Sequence, residues 1–148
     1  MNEDASGLPA SGSATPATLS GVLAGMPVLV VEDDPPSAHV FRALLAGDGA
    51  EVKLARTAEE AKTLLRSFHP RLVVVDLVLP GESGVLLMSH LRSHPATVGV
   101  PIVAVTCMGA GAESAARQAG CSAFFPKPID GAAFLDRVAA LTTGKAEG

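Results

Sequence analysis

Five short strand-like runs alternate with helical patterns along this chain, four of them closing on a polar residue or an acidic turn, and that alternation leaves few folds open to it. The third run, residues 72–75, follows a helix-like segment and precedes Pro80, Gly81 and Gly84, so it reads as a strand buried on both faces. Its polar end is Asp76. In an open parallel sheet covered by helices, ligands and chemistry collect outside the carboxyl ends of the strands, where Asp76 falls. Asp also caps turns readily, and this stretch by itself leaves both readings open.

The other runs complete the pattern. Residues 28–31 lead into Glu32, Asp33, Asp34, Pro35 and Pro36, and prolines are tolerated only around a helix's first turn. Val40, Phe41, Leu44 and Leu45 carry that helix toward Gly47 and Gly49. Residues 51–55 alternate as a strand, and Thr57 with Glu60 has capping-box spacing ahead of Ala58, Ala61, Leu64, Leu65 and Phe68. After Asp76, residues 83–92 form a helix with Val85, Met88 and Leu91 on one side, and residues 101–106 form a strand ending at Thr106. Residues 113–119 form a short helix with a Glu113 to Arg117 pair, residues 122–125 a last strand before Lys127, and Asp130 caps a helix through Phe134, Leu135, Val138 and Leu141. Strict alternation predicts an α/β fold, a doubly wound five-stranded parallel sheet of flavodoxin-like type.

At 148 residues and 48% hydrophobic composition the chain holds one ordinary domain with a full core. Residues 1–25 are rich in Ala, Ser, Gly, Thr and Pro, with Glu3 and Asp4 as their only charges, and read as a flexible tail. Leu19, Val22 and Leu23 leave open a docked turn, but deletion through Leu23 is expected to change stability little. The domain then spans 26–141, with a polar tail at 142–148. A net charge of −4 without any Lys/Arg cluster speaks against nucleic-acid binding and leaves proteins as the expected partners. No membrane-span-length apolar run and no signal-peptide pattern is present, so a cytoplasmic location is expected. Cys107 and Cys121 are expected in or near the core, His39, His69, His90 and His94 in solvent, and Gly109, Ala110 and Gly111 in a flexible connection rather than a nucleotide cradle.

Strand ends converge in a doubly wound sheet, which gathers Glu32, Asp33, Asp76, Thr106 and Lys127. Clustered carboxylates repel unless a cation sits among them, and an all-oxygen site that keeps several waters suits Mg²⁺. The hydroxyl of Thr106 and the ammonium of Lys127 are donors, which suit an incoming group with several anionic oxygens, most simply a phosphoryl.

The segments VLVVEDD, VVVDLVLPGESG, VAVT and FFPKP resemble the phosphoacceptor receiver domain of two-component response regulators, from about Met26 to Leu141. The resemblance implies an acidic pair at Glu32 and Asp33, the phosphoacceptor at Asp76, the hydroxyl at Thr106 and the lysine at Lys127. It implies Mg²⁺ held by Asp33, Asp76 and the backbone carbonyl of Val78, with Glu32 acting through metal-bound water. Phe124 matches the switch aromatic, Thr106 and Phe124 moving together, and the Lys127–Pro128 bond is expected to be cis. The implied partners are a sensor histidine kinase or histidine phosphotransfer protein and a downstream protein target. The chain then looks like a single-domain regulator or a receiver from a longer protein, no enzyme beyond assisting its own phosphorylation and dephosphorylation. A degenerate receiver that only binds proteins would be expected to lose the acid pair or the lysine. A flavin- or nucleotide-binding enzyme would need a phosphate loop where the three acids stand.

Overall fold

The computed structural model describes residues 21–108 and 111–143. Strands and helices alternate as β1 (Pro27–Val31), α1 (Pro35–Gly47), β2 (Glu51–Ala55), α2 (Ala58–Leu64), β3 (Leu72–Asp76), α3 (Gly84–Ser93), β4 (Ile102–Thr106), α4 (Gly111–Ala119), β5 (Ala123–Pro126) and α5 (Gly131–Thr143). The strands form one parallel sheet in the order β2-β1-β3-β4-β5, the doubly wound arrangement the alternation predicts. Direction of travel across the sheet reverses between β1 and β3. A crevice therefore opens at their carboxyl ends.

The two-residue period of the strands divides the core cleanly. Leu29, Val31, Val73, Val75, Ile102 and Ala104 pack with α2, α3 and α4 through Ala58, Ala61, Leu87, Met88, Leu91 and Ala116. Val28, Val30, Leu72, Val74, Val103 and Val105 pack on the other face with Phe41, Leu45, Phe134 and Val138 of α1 and α5. This explains why β3 and β4, buried on both faces, are aliphatic without a break, whereas edge strand β2 alternates. Capping follows the sequence closely. Asp34, Thr57 and Ser83 each accept a backbone N–H at the starts of α1, α2 and α3, and Asp130 accepts from Ala133 at the start of α5.

Four expectations need correction. Residues 21–25 are not part of a tail: Leu23 is fully buried in the α1–α5 core, and its N–H donates to the Asp48 carbonyl at 3.2 Å. The remainder of that predicted tail, 1–20, lies outside the described residues. At the other end α5 runs to Thr143, so residues 142 and 143 are helical and only 144–148 of the predicted tail lie outside the description. The second helix ends at Leu64, and Phe68 reaches the core from the turn that follows. Cys107 is exposed, because it stands just past the carboxyl end of β4 where the chain leaves the sheet, whereas Cys121 is partly buried against the core as expected. Of the glycine-rich connection, Gly111 opens α4, and residues 109 and 110 lie outside the description.

Candidate functional site

The β1–β3 crevice collects the carboxylates. Glu32 follows β1 and shares a face with Val28 and Val30; Asp76 ends β3 on the face of Leu72 and Val74. Both are buried, at 2% and 5% exposure, which for carboxylates demands compensation. One oxygen from each of Glu32, Asp33 and Asp76 lies within 4.8 Å of the other two. Lys127, just beyond β5, supplies the compensation: its ammonium donates to Glu32 Oε1 at 2.7 Å and to Asp76 Oδ2 at 2.9 Å. The other oxygen, Asp76 Oδ1, accepts the Val78 N–H at 2.9 Å, which holds the loop after β3 against the carboxylate. The Lys127–Pro128 peptide is cis, as the resemblance implies.

Thr106 is fully buried at the end of β4, and its Oγ1 accepts the Met108 N–H at 3.1 Å. Side-chain alternation places Thr106 on the α2–α4 face, with Ile102 and Ala104. Phe124 pairs in register with Ala104 and packs on that same face, so Thr106 and Phe124 are diagonal neighbours across β4 and β5. Glu32, Asp33, Asp76 and Lys127 thus form one contact set, while Thr106 and Phe124 form a second set on the sheet's other side.

Burial pushes the Glu32 carboxyl up to about 7, and the facing Asp76 adds to this, against the opposing pull of Lys127 and of the Asp34 N–H. Burial pulls on Lys127 in the opposite sense, but its bonds to Glu32 and Asp76 outweigh that and raise it. Between about pH 4.5 and 7 the folded metal-free chain is therefore expected to hold a proton on Glu32 that the unfolded chain has lost. Its contribution to stability is full below the unfolded value and is lost as pH rises through about 7. Urea midpoints of the metal-free chain are expected to fall across that window, and Glu32→Gln is expected to flatten the fall. Equal slopes in the two proteins would contradict this.

Two contributors were not legible in the sequence. Gly84 opens α3 directly against the strand: a Cβ there would collide with the Asp76 carbonyl oxygen and lie 2.8 Å from Leu77 Cα. Its N–H donates to the Leu77 carbonyl at 3.1 Å. Gly84→Ala is expected to cost about 1–3 kcal/mol, as other overpacked positions do, by displacing the Asp76 and Leu77 backbone. Denaturant midpoints check this, and an unchanged midpoint would refute it. The second contributor is Ser37, whose hydroxyl reaches Lys127. Its only sequence signal is the three-residue spacing from Asp34, which reads as ordinary helix capping.

A parallel doubly wound domain with buried carboxylates and an ammonium at its switch point defines the class of protein. The comparisons then specify it. The model of the response regulator receiver domain matches residues 28–139. The polar-differentiation response regulator DivK of Brucella ovis is 34% identical over 112 residues, covering 75% of this chain and 91% of the relative. The Brucella anthropi DivK is 33% identical over the same shares of the two chains. The receiver domain of a sensor histidine kinase from Pseudomonas aeruginosa superposes with a TM-score of 0.73 at 28% identity, covering 82% of this chain and 99% of that one; it carries a magnesium ion in its active-site cleft. A chemotaxis response regulator of Vibrio cholerae, at 19% identity and a TM-score of 0.74 over 79% of this chain and 98% of that one, shares the fold. This chain belongs to the response regulator receiver domain family. Among the described residues no helix is long and apolar enough to cross a membrane.

Proposed function

We propose that the chain is a phosphoacceptor of a two-component phosphorelay, taking a phosphoryl group on Asp76. The carrying observation is the bonding of one ammonium, Lys127, to both Glu32 and Asp76 within a cluster of three carboxylates. A degenerate interaction module has no need to bury two carboxylates and a lysine together, since buried charge is costly wherever it is not used. The donor is a phosphohistidine on a sensor kinase or histidine phosphotransfer protein. An Asp76 carboxylate oxygen attacks phosphorus, the P–N bond breaks, its electron pair and a proton stay with the histidine, and an acyl phosphate forms on Asp76.

Buried acids within 4.8 Å of one another fit a hard divalent cation, and the magnesium of the Pseudomonas neighbour supports Mg²⁺. Asp33, Asp76 and the Val78 backbone carbonyl would hold it, with Glu32 engaged through water. Bound there, Mg²⁺ supplies charge neutralisation between the acids and the incoming phosphoryl oxygens. Lys127 then pairs with one phosphoryl oxygen and the Thr106 hydroxyl donates to another. For that, the Thr106 side chain must turn from the face of Ile102 and Ala104 toward the crevice, carrying with it the loop whose Met108 N–H it accepts, and the space it vacates adjoins Phe124 on the same face. The output is altered binding to a downstream protein or onward relay. The folded unit carrying this chemistry spans about residues 21–143.

Intact mass after incubation with acetyl phosphate tests the reading. One phosphoryl group is expected with Mg²⁺ and none with a chelator. Absence of any gain under both conditions would refute it.

A further inference from the structure

We infer that Ser37 is a positioning residue for Lys127, aimed by Asp34. Resting on the reading of Lys127 as the group that meets the phosphoryl oxygens, this assigns roles to two side chains at the start of α1, its N-cap Asp34 and Ser37, outside the acid pair.

The geometry is directional. An ammonium has three protons and no acceptor. Those of Lys127 go to Glu32 Oε1 at 2.7 Å, Asp76 Oδ2 at 2.9 Å and Ser37 Oγ at 3.3 Å. Ser37 thus fills the third donor position, the only one not taken by a carboxylate. A serine hydroxyl carries one proton and two lone pairs. Its proton is committed to Asp34 Oδ2 at 2.8 Å, since a carboxylate only accepts. The lone pairs are left to face Lys127. Asp34 is itself fixed as the N-cap of α1, accepting the Ser37 N–H at 3.1 Å, and Pro35 and Pro36 stiffen the turn between them.

Consequences follow for the resting site and for its occupied form. A phosphoryl group on Asp76 draws Lys127 from the carboxylates toward new oxygens. The neutral Ser37 contact opposes no charge and can persist through that exchange. It confines a flexible four-carbon side chain to the crevice before and after transfer, which reduces the ordering cost of the new ion pair.

Ser37→Ala removes the hydroxyl but keeps the backbone N–H that satisfies Asp34, so α1 stays capped. Exchange of the Lys127 ammonium protons with water is to be followed by NMR on the isotope-labelled full chain, without metal or phosphodonor, beside beryllium fluoride affinity in Mg²⁺. Ser37→Ala is expected to speed exchange and weaken beryllium fluoride binding, each by about threefold to tenfold, the range for one hydrogen bond. Ser37→Thr is expected to restore both. Asp34→Asn is expected to speed exchange, because its amide can donate to Ser37 and turn the hydroxyl proton toward Lys127. Unchanged exchange in Ser37→Ala overturns the contact. Changed exchange with unchanged beryllium fluoride affinity overturns its role in positioning. Because the exchange experiment involves no phosphoryl transfer, it stands or falls separately from the phosphorylation of Asp76.

Discussion

Asp76→Asn is expected to abolish phosphoryl uptake while leaving the fold in place. The amide is not a nucleophile toward phosphorus, so no acyl phosphate can form. Its oxygen can still accept the Val78 N–H that Asp76 Oδ1 accepts at 2.9 Å, and Lys127 keeps Glu32 at 2.7 Å. One of two facing buried carboxylates is neutralised, so stability is not expected to drop. Intact mass with acetyl phosphate and Mg²⁺, together with thermal unfolding, checks both halves. Phosphoryl uptake that persists in a folded Asp76→Asn chain would remove Asp76 from its assigned role. Loss of uptake with loss of fold would show the side chain to be structural instead.

Leu23→Ala is expected to lower the unfolding free energy by about 2–5 kcal/mol, the cost of emptying a fully buried leucine site. Leu23 sits at 0% exposure among Val28, Phe41, Leu45 and their neighbours. The segment around it is pinned to the α1–β2 turn: Gly25 donates to the Gly49 carbonyl at 2.9 Å. Ala24 packs so tightly on Gly49 that a Cβ there would lie 2.8 Å from its Cα. Gly49 holds φ at +101°, a second reason that only glycine fits. Val22, at 46% exposure, is the internal control, and Val22→Ala is expected to cost no more than about 0.5 kcal/mol. Equal, small effects of both substitutions on the denaturant midpoint would return residues 21–25 to the status of a tail. Deletion through Leu23 is accordingly expected to destabilise the domain.

The contrast between these two positions shows what the sequence makes legible. Asp76 stands out because it breaks an aliphatic run whose burial on both faces is unmistakable, and three consecutive acids before two prolines mark the partner strand end equally well. The parallel, doubly wound character of the sheet follows from strict alternation of strands and helices. Leu23 does not stand out, because one apolar residue among Ala, Gly and Ser carries no period; its burial depends on where the α1–β2 turn lies in space. Gly84 looks like any turn glycine until the Asp76 carbonyl is seen against it. Ser37 is hidden for another reason. Its link to Lys127 joins residues 90 positions apart, and local pattern reports only the bond to Asp34.

The same distinction separates the two halves of the site. Glu32, Asp33, Asp76 and Lys127 are in contact within the carboxylate cluster. Thr106 and Phe124 lie across the sheet, joined to each other by the register Ala104 to Phe124 and Thr106 to Pro126. On the proposed reading, a signal from the first set to the second passes through the end of β4, where the Thr106 hydroxyl accepts the Met108 N–H and still has its own proton to donate. If the proposed function holds, Lys127→Ala removes the reader and Phe124→Ala the reporter, and neither is expected to prevent phosphorylation of Asp76.

The central claim, that one carboxylate of this chain accepts phosphoryl groups, is tested most directly by trapping the product. Borohydride reduces an aspartyl phosphate to homoserine, which tandem mass spectrometry locates in the sequence. After treatment with acetyl phosphate and Mg²⁺, homoserine is expected at position 76 alone. Homoserine at position 33 or 34, or none in a chain whose mass shows a phosphoryl group, would contradict it.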